Sequence, residues 1–316
     1  MDQTTESTSE TINLSNFVFS YSKSKILQKR VCKYVTFATV KFTMKIPLDT
    51  QNDTKKKKNK KIFCIENVVI KYYPNTKLGS KELINEITML DYISTHIHDK
   101  DLNTPRSIAY KVQKSGSKPH VHYIERKPGH DLEYWINHIF SFENHPIQAH
   151  QIICKIAKAI LVLHNNKIAH KDIKPENILL HIETDKPEIT IIDFAFSKFV
   201  IDDNMITQSA YCGTECYASP ELRRQMPYNL YANDVWCFGS MIYAIYCNHY
   251  LPSGFYDDKL SAYFESCKYA VNESNIPKYM KSIMHKIFVT QENRISMDMV
   301  VNMLDNATKY IISNDD

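Results

Sequence analysis

The chain is poor in glycine, with six in 316 residues and none before Gly79. Glycine adopts left-handed backbone conformations at low cost and lets backbone amides come close to a ligand. A glycine-rich loop of the kind that covers phosphate groups is therefore excluded from the part of the chain before Gly79.

Closely spaced cysteine pairs are also missing, since the eight cysteines form no C-x-x-C motif. Cys212 and Cys216 come nearest, but no histidine cluster accompanies them as a structural zinc site would require. The N-terminal sequence MDQTTESTSETINLSNF is polar and acidic, unlike a secretory signal peptide. We expect free thiols in a reducing compartment and an intracellular, cytoplasmic protein.

The excess of positive over negative charge comes from one lysine-rich segment. The net charge is +4, and subtracting the six lysines at positions 55–58, 60 and 61 leaves −2 for the rest of the chain. A basic surface for nucleic acid would extend over more of the fold, so no nucleic-acid partner is predicted. The lysine run itself fits a nuclear-import signal, a patch for anionic partners or a solvated loop.

One uncharged stretch, between Asp234 and Asp257, is long enough for a membrane span of about 20 residues. Asn248, Pro252 and Gly254 interrupt its second half, which shortens the apolar helical part. We predict a buried core helix here and no membrane partner.

Periodicity divides the chain into a strand-rich first third and a helical remainder. Period-two alternation predicts a hairpin over 26–46 and a strand over 62–73, and a helix should run from Ser80, as N-cap, to Thr95. Further strands fit 106–113 and 119–125. Predicted helices span 131–140, 147–165, 231–247, 278–289 and 296–305. This is an α+β pattern with a junction near residues 125–129.

A single loop in the sequence IAHKDIKPENILL combines three residues that suit phosphoryl transfer. Asp172 could orient a hydroxyl nucleophile, Lys174 could face the transferring phosphoryl group, and the amide oxygen of Asn177 could hold a metal ion. Asp193 follows a short strand and could provide the main Mg²⁺ ligand. The alternative, a polar helix-capping loop, would require all of these residues to coincide by chance.

The loop resembles the catalytic core of eukaryotic-type protein kinases, and the resemblance extends over roughly residues 28–305. Cys212-Gly213-Thr214 with Ala218-Ser219-Pro220-Glu221 resembles the end of an activation segment. Asp234-Val235-Trp236-Cys237-Phe238-Gly239 resembles the start of the buried helix F. Arg294 fits the arginine that pairs with Glu221. The aspartate of the helix F motif would hold the backbone of the catalytic loop.

The resemblance implies a two-lobed kinase fold with a small β-rich N-lobe, one main helix in that lobe, and a larger, mostly helical C-lobe. The expected divisions are a mobile tail over 1–24, the N-lobe over 25–126 with a lysine-rich insertion at 47–61, the C-lobe over 127–306 and a C-terminal tail over 307–316. Nothing in the sequence indicates an oligomeric state.

In the chemistry implied by the resemblance, Asp172 accepts the proton of the substrate hydroxyl and Lys174 neutralises charge on the phosphoryl group. Asn177 and Asp193 coordinate Mg²⁺ that bridges the ATP phosphates. In this family a lysine at the position of Lys174 accompanies Ser/Thr specificity. The expected ligands are therefore ATP, Mg²⁺ and proteins with Ser or Thr acceptors.

The nucleotide-binding residues implied by the resemblance come from several segments. Lys71 matches the strand lysine that grips the α- and β-phosphates, and Glu86 matches its ion-pair partner, with Glu82 as a competing register. The segment from Glu125 to Lys127 matches the hinge whose backbone binds adenine. Leu179 would form the floor beneath the base.

The chain departs from the family at the phosphate-covering loop. Lys33, Val35 and Ala38 stand where glycines are usual, whereas Val40 and the tip residue Phe37 fit the pattern. Side chains at these three positions should loosen the contact of backbone amides with the phosphates.

Two further departures flank the catalytic groups. Ala195 replaces the glycine after Asp-Phe and should restrict movement of that segment. Lys171 replaces an arginine, so a phosphate there would meet a point charge rather than a bidentate fork.

Three functions are compatible with these features. The leading interpretation is an active Ser/Thr protein kinase. A pseudokinase that serves as an ATP-binding or scaffold module is favoured by the missing glycines and by Ala195. A small-molecule phosphotransferase of the kinase-like group is disfavoured by the Lys174-Pro175-Glu176 and Ser219-Pro220-Glu221 segments.

Overall fold

The computed structural model describes residues 10–14, 17–28, 35–46, 60–113, 116–183, 186–202, 206–207, 213–252 and 260–313. The chain divides into two compact units. The first comprises Met1–Ser94 and Pro105–Lys127, and the second comprises Thr95–Thr104 and Pro128–Asp316. The division after Lys127 lies next to the expected boundary between residues 126 and 127.

The first unit contains a six-stranded antiparallel sheet with strand order β1-β2-β3-β4-β6-β5. Its strands are β1 (Glu10–Leu14), β2 (Phe17–Gln28), β3 (Val35–Ile46), β4 (Lys60–Tyr73), β5 (Ser107–Lys111) and β6 (His120–Glu125). The hairpin predicted over 26–46 begins earlier than expected, because residues 35–46 form the single strand β3, whose antiparallel partner β2 covers residues 17–28. Residues 29–34 lie outside the described part of the chain. The two strands predicted before the junction are β5 and β6.

The sheet corrects two expectations about the N-terminal region. A mobile tail over 1–24 is wrong for residues 10–14 and 17–24, which belong to strands. Alternating aromatic residues at Phe17, Phe19 and Tyr21 are a strand pattern that the polar composition of the segment concealed. The predicted loop over 47–61 also ends earlier than expected, because β4 already includes Lys60 and Lys61. Residues 47–59 lie outside the described part of the chain.

Helix α1 (Lys77–His96) begins before the predicted start. The hydroxyl of Thr76 accepts a hydrogen bond of 3.1 Å from the backbone N–H of Gly79, so Thr76, rather than Ser80, caps the first turn. A Cβ at Gly79 would lie 2.1 Å from the carbonyl oxygen of Pro74, which explains the glycine. Leu83, Ile87, Leu90 and Ile93 recur at helical spacing and are buried, so they form the apolar stripe of α1.

The second unit is mostly helical, with four helices of ten residues or more that were predicted from sequence periodicity. Its elements in chain order are β7 (His130–Asp131), α2 (Leu132–His138), α3 (Pro146–Asn165), β8 (Ile168–Ala169), a 3-10 helix (Pro175–Asn177), β9 (Ile178–Ile182), β10 (Pro187–Ile191), β11 (Lys198–Phe199), β12 (Ile206–Thr207), α4 (Pro220–Arg223), β13 (Tyr228–Asn229), α5 (Leu230–Cys247), α6 (Leu260–Glu273), α7 (Lys278–Ile287) and α8 (Met297–Ser313).

Helices α6 and α8 differ from expectation. The sequence analysis missed α6, whose buried residues Tyr263, Phe264, Cys267 and Val271 are separated by polar positions. Helix α8 continues to Ser313, so the C-terminal tail predicted from residue 307 is wrong for residues 307–313.

The short strands form three small sheets among the described residues, with orders β10-β9-β7, β11-β8 and β12-β13.

Helix α5 is the core helix predicted from the uncharged stretch, and it ends where Asn248 adopts a left-handed conformation with φ of 55°. Its Trp236 packs edge-on against Phe288 at 4.9 Å and Phe264 at 5.9 Å between ring centroids. Within the described residues, α3 is the one helix long and apolar enough to cross a membrane, and 56% of its most apolar window is buried inside the protein.

A buried ion pair joins α4 to the segment before α8. The Nη2 atom of Arg294 lies 2.9 Å from Oε1 of Glu221, and the guanidinium also donates to the carbonyl oxygens of Ile287, Ala232 and Val289. The predicted pairing of these two residues is confirmed. Such a pair is costly to break, because the remaining charge stays buried without a counterion.

We therefore expect Arg294→Leu to lower the free energy of unfolding by about 3–5 kcal/mol. The matched control is Lys158→Leu, which removes an exposed ion pair of 3.0 Å with Asp305 and should cost about 1 kcal/mol or less. Urea denaturation followed by circular dichroism measures both. Equal losses in the two variants would contradict the structural role of the buried pair.

Candidate active site

The loop that carries Asp172 is fixed by a buried carboxylate on α5. Oδ2 of Asp234 accepts the backbone N–H of His170 at 2.7 Å, and Oδ1 accepts that of Lys171 at 2.8 Å. Oδ2 also lies 3.1 Å from Nε2 of His164 on α3. Lys171 has a φ of 70°, an uncommon conformation for a residue with a side chain. The predicted contact of Asp234 with the loop backbone is thus confirmed.

The carboxylate of Asp172 accepts hydrogen bonds on both oxygens. Oδ1 accepts the backbone N–H and the hydroxyl of Thr214, each at 3.0 Å. Oδ2 accepts Nδ2 of Asn177 at 3.0 Å and lies 3.2 Å from Nζ of Lys174. Nζ of Lys174 also donates to the Thr214 hydroxyl at 2.6 Å. These contacts fix the orientation of the carboxylate and place a cation beside it.

Gly213 is required for this arrangement. Its φ of 99° lies in the left-handed region, and a Cβ would sit 2.9 Å from the carbonyl oxygen of Lys171 and 3.4 Å from Oδ1 of Asp172. A side chain at position 213 would therefore clash with the carbonyl oxygen of Lys171 and crowd the carboxylate of Asp172. Thr214 follows this glycine directly, and the left-handed conformation of Gly213 explains how the backbone N–H of Thr214 reaches Asp172.

The two candidate metal ligands belong to adjoining segments. The backbone N–H of Ile192 donates to the carbonyl oxygen of Asn177 at 3.0 Å, which connects the 3-10 helix to the residue before Asp193. Nδ2 of Asn177 is engaged by the carbonyl oxygen of Asp172 at 2.8 Å as well as by its carboxylate, so the amide oxygen is the atom that could bind a cation. Asp193 is half-buried with a φ of 65°.

Phe194 and Ala195 follow Asp193 into the interior. The ring of Phe194 is buried and meets His170 edge-on, with 4.9 Å between centroids. Ala195 is also buried, and its backbone N–H lies 3.4 Å from Oδ1 of Asp193. Both side chains are thus packed in the interior, and the restricted movement expected from Ala195 stays a prediction.

Glu176 carries a partly buried carboxylate beside Asp172. Burial raises the pKa of Glu176, the Lys174 ammonium opposes that shift, and the carboxylates of Glu133 and Asp172 add to it. Its Oε2 atom has no hydrogen-bond partner among the described residues. The carboxylate of Asp131, in contrast, has a partner within its own segment. It caps α2 by accepting a hydrogen bond from the backbone N–H of Tyr134 at 2.8 Å.

In the first unit, Lys71 and Glu86 form the expected ion pair, with Nζ 3.1 Å from Oε1. The structure thereby selects Glu86 over Glu82. Glu86 is 1% exposed. Burial alone would raise its pKa, but the Lys71 ammonium and His122 hold the pKa of this carboxyl well below its ordinary value.

Two polar residues around Glu86 were not found from the sequence. The hydroxyl of Tyr73 donates to Oε2, and Nδ1 of His122 lies 3.1 Å from the same oxygen. His122 stands directly opposite Lys71 in the pairing of β6 with β4. His120 and His122 are two residues apart on β6 and so share a strand face, and the register of β6 with β4 places His122 beside Lys71.

The residues expected to surround adenine are Glu125 and Lys127 of the hinge and Leu179 beneath the base. The backbone N–H of Glu125 donates to the carbonyl oxygen of Arg106 at 2.9 Å, so any contact of Glu125 with adenine would come from its carbonyl group. Its carboxylate lies 3.3 Å from Nζ of Lys127. Leu179 is half-buried in β9 of the second unit.

The segment expected to cover the phosphates is a strand where the structure describes it. Val35, Ala38 and Val40 lie in β3, paired with Lys71, Val68 and Glu66 of β4. Lys33 lies outside the described residues. Three positions of the glycine-replacing segment are therefore part of a β-ladder next to Lys71.

A sequence profile of the protein kinase domain matches residues 51–304. Calcium/calmodulin-dependent protein kinase type 1 of Caenorhabditis briggsae is 37% identical over 110 residues, which are 35% of this chain and 29% of the relative. Testis-specific serine/threonine-protein kinase 4 of Homo sapiens is 28% identical over 218 residues, covering 63% of this chain and 58% of the relative.

A third relative, probable serine/threonine-protein kinase MARK-A of Dictyostelium discoideum, is 31% identical over 192 residues, covering 58% of this chain and 17% of the relative. The chain thus spans less than two thirds of the length of each of these proteins. The family profile covers most of the chain, and its range includes the Lys71–Glu86 pair as well as the Asp172 loop. The chain belongs to the eukaryotic-type protein kinase family.

Proposed function

We propose that the chain is a serine/threonine protein kinase that transfers the γ-phosphate of ATP directly to protein hydroxyl groups. The observation that carries this proposal is the Asp172 carboxylate, which receives hydrogen bonds or ionic contacts from Thr214, Asn177 and Lys174. A scaffold has no need of an oriented carboxylate next to a lysine in a loop. An intracellular location, cytoplasmic or nuclear, belongs to the same proposal.

In the proposed reaction, Asp172 orients the substrate hydroxyl and accepts its proton on a carboxylate oxygen. The hydroxyl oxygen forms a bond to the γ-phosphorus of ATP while the bond from that phosphorus to the β–γ bridging oxygen breaks, and ADP leaves with the bridging oxygen. The Nζ atom of Lys174 lies 3.2 Å from Oδ2 of Asp172, beside the group that would hold the substrate hydroxyl. From there its positive charge would offset negative charge that develops on the phosphoryl group. Thr214 keeps both groups in place, because it contacts Lys174 and Asp172 at the same time.

The residues present fit Mg²⁺. A half-buried carboxylate on Asp193 and the amide oxygen of Asn177 are hard oxygen donors, and few protein ligands suit this ion when phosphates supply the rest. When bound, Mg²⁺ would neutralise phosphate charge and orient the terminal phosphoryl group. The resemblance assigns phosphate binding to Lys71, which is paired with Glu86 within the first unit.

The alternative is a nucleotide-binding pseudokinase, which the side chains of Val35 and Ala38 and the buried Ala195 favour. Incubation with labelled ATP, Mg²⁺ and mixed protein substrates distinguishes the two. Transfer to Ser or Thr supports the kinase, whereas nucleotide binding without transfer supports the pseudokinase.

Replacing Asp172 by Asn should reduce kcat by at least about 100-fold, the range expected for loss of a general base, with little change in ATP affinity. Asp193→Asn should abolish Mg²⁺-dependent nucleotide binding. The matched control, Glu188→Gln, changes an exposed carboxylate of the second unit and should leave both quantities unchanged. Unimpaired transfer by both aspartate variants would refute the assigned roles.

Nucleotide affinity should be weakened by the missing glycines. We expect a higher KM for ATP than is usual for the family, and the double change Val35→Gly and Ala38→Gly should lower it. Each glycine in strand β3 should also cost about 0.5–1 kcal/mol of stability. Thr43→Gly, farther along the same strand, should cost similar stability without changing the KM. A low KM that these replacements do not alter would show that the strand contacts phosphates despite its side chains.

Substrate choice should depend on Glu176, because it matches a position at which related kinases place a carboxylate against an arginine upstream of the phosphoacceptor. On that resemblance we expect a mild preference for basic residues upstream of the phosphoacceptor. Glu176→Gln should lower kcat/KM about tenfold for a peptide with an upstream arginine, which corresponds to about 1.4 kcal/mol. The same variant should hardly affect a peptide with leucine at that place. A peptide-array profile without upstream basic enrichment would rule out this preference.

A further inference from the structure

A second carboxylate, that of Glu86, is fixed by more contacts than its ion pair with Lys71. Its Oε1 atom faces Lys71, and its Oε2 atom faces the Tyr73 hydroxyl and Nδ1 of His122. Lys71 and Tyr73 are two residues apart on β4, and His122 is the direct neighbour of Lys71 on β6. Because strand residues two apart and directly paired residues share a face, all three side chains approach α1 from one face of the sheet.

The hydrogen-bonding pattern assigns the proton positions. An ionised carboxylate can only accept hydrogen bonds, so Nδ1 of His122 must carry a hydrogen and the Tyr73 hydroxyl must donate. The other ring nitrogen of His122, Nε2, lies 2.9 Å from the hydroxyl of Ser107 on β5. Ser107 thereby fixes the orientation of the imidazole ring, which is fully buried.

A second histidine attaches the start of α1 to the same strand. Nδ1 of His120 accepts the backbone N–H of Gln113 at 3.0 Å, and Nε2 lies 2.7 Å from the hydroxyl of Ser80. Helix α1 is therefore bonded to β6 in its first turn, through Ser80, and at Glu86. Rotation or displacement of the helix would have to break both contacts.

Tyr73 also acts on Lys71. The ammonium group lies 5.2 Å from the centre of the Tyr73 ring, within the range of a cation–π contact. One tyrosine thus contacts both partners of the ion pair, with its ring toward the lysine and its hydroxyl on the glutamate.

We infer that His122 and Tyr73 are positioning residues that keep Glu86 paired with Lys71 and thereby set the affinity of this chain for nucleotide phosphates. The inference rests on the proposed nucleotide-binding role of Lys71. Loss of either donor lets the Glu86 carboxylate adopt other orientations, and Lys71 then spends less time in the position that binds phosphates.

The experiment measures the Kd for MgADP by calorimetry, which requires no catalysis. His122→Leu fills the space without a donor, and Tyr73→Phe removes only the hydroxyl. Each should raise the Kd about three- to tenfold, which is less than the full effect of losing a hydrogen bond to a charged group, because the lost bond acts on the phosphates only through Lys71. His122→Asn should restore near-parental affinity, because its amide nitrogen is attached to Cγ as Nδ1 is in histidine.

His150→Leu is the matched control. His150 is a buried histidine of the second unit that bonds the hydroxyls of Tyr279 and Thr308 at 3.0 and 2.7 Å. Its replacement should lower stability without raising the Kd. In a Glu86→Gln background, His122→Leu should change the Kd less than twofold, since the ionised group it holds is gone.

Steady-state kinetics provide a second readout, in which His122→Leu should raise the KM for ATP but not the KM for the peptide. Unchanged affinity in His122→Leu and Tyr73→Phe would overturn the inference, as would an equal loss in His150→Leu. If His122→Leu does not fold, Tyr73→Phe and His122→Asn decide the question.

The outcomes also separate this inference from the proposed function. The expected pattern of Kd values in a chain that transfers no phosphate would refute the kinase and leave the positioning role intact. A parental chain that binds no MgADP would overturn both.

Discussion

The second unit depends on the buried carboxylate of Asp234. It is completely enclosed, and an isolated charge there would be strongly unfavourable. The backbone N–H groups of His170 and Lys171 and the imidazole of His164 satisfy it. One side chain of α5 therefore connects α3 to the catalytic loop, and the order of Asp172, Lys174 and Asn177 follows from that anchor. The left-handed conformation of Lys171 is tolerated because Asp234 holds its N–H group.

The first unit also contains a buried carboxylate that requires hydrogen-bond donors, that of Glu86. Glu86 is as deeply buried as Asp234, but its donors are side chains rather than backbone groups. Backbone donors are fixed once the loop folds, whereas side-chain donors can be lost by substitution. On the inference drawn above, the Lys71–Glu86 pair depends on the side chains of Tyr73 and His122, whereas the contacts of Asp234 with backbone N–H groups do not depend on which side chains follow them.

The sequence was sufficient where chemistry and spacing coincide. The Asp172 loop, the Lys71–Glu86 pair, the Glu221–Arg294 pair and the core helix all follow from motifs or apolar periodicity. It was insufficient where the determining contact is long-range. His122 meets Glu86 only because β6 pairs with β4 in a particular register, and Thr76 replaces Ser80 as the cap because Gly79 packs on Pro74. The strands at residues 10–14 and 17–24 were missed because a polar composition outweighed a period-two aromatic pattern.

The departures from the family pattern have one physical feature in common. Each replaces a residue that permits movement or bidentate binding with one that does not, as at Val35, Ala38, Lys171 and Ala195. The groups that orient charge, in contrast, are retained and fully bonded at Asp172 and at Glu86. Ordered acceptors would lower the reorganisation needed during the proposed transfer, whereas side chains at Val35 and Ala38 would keep backbone amides away from the phosphates of a bound nucleotide. On the proposed function, Lys71 would then supply a larger share of the phosphate contacts. The two additional donors on Glu86 would matter for that reason, because they keep the partner of Lys71 in place.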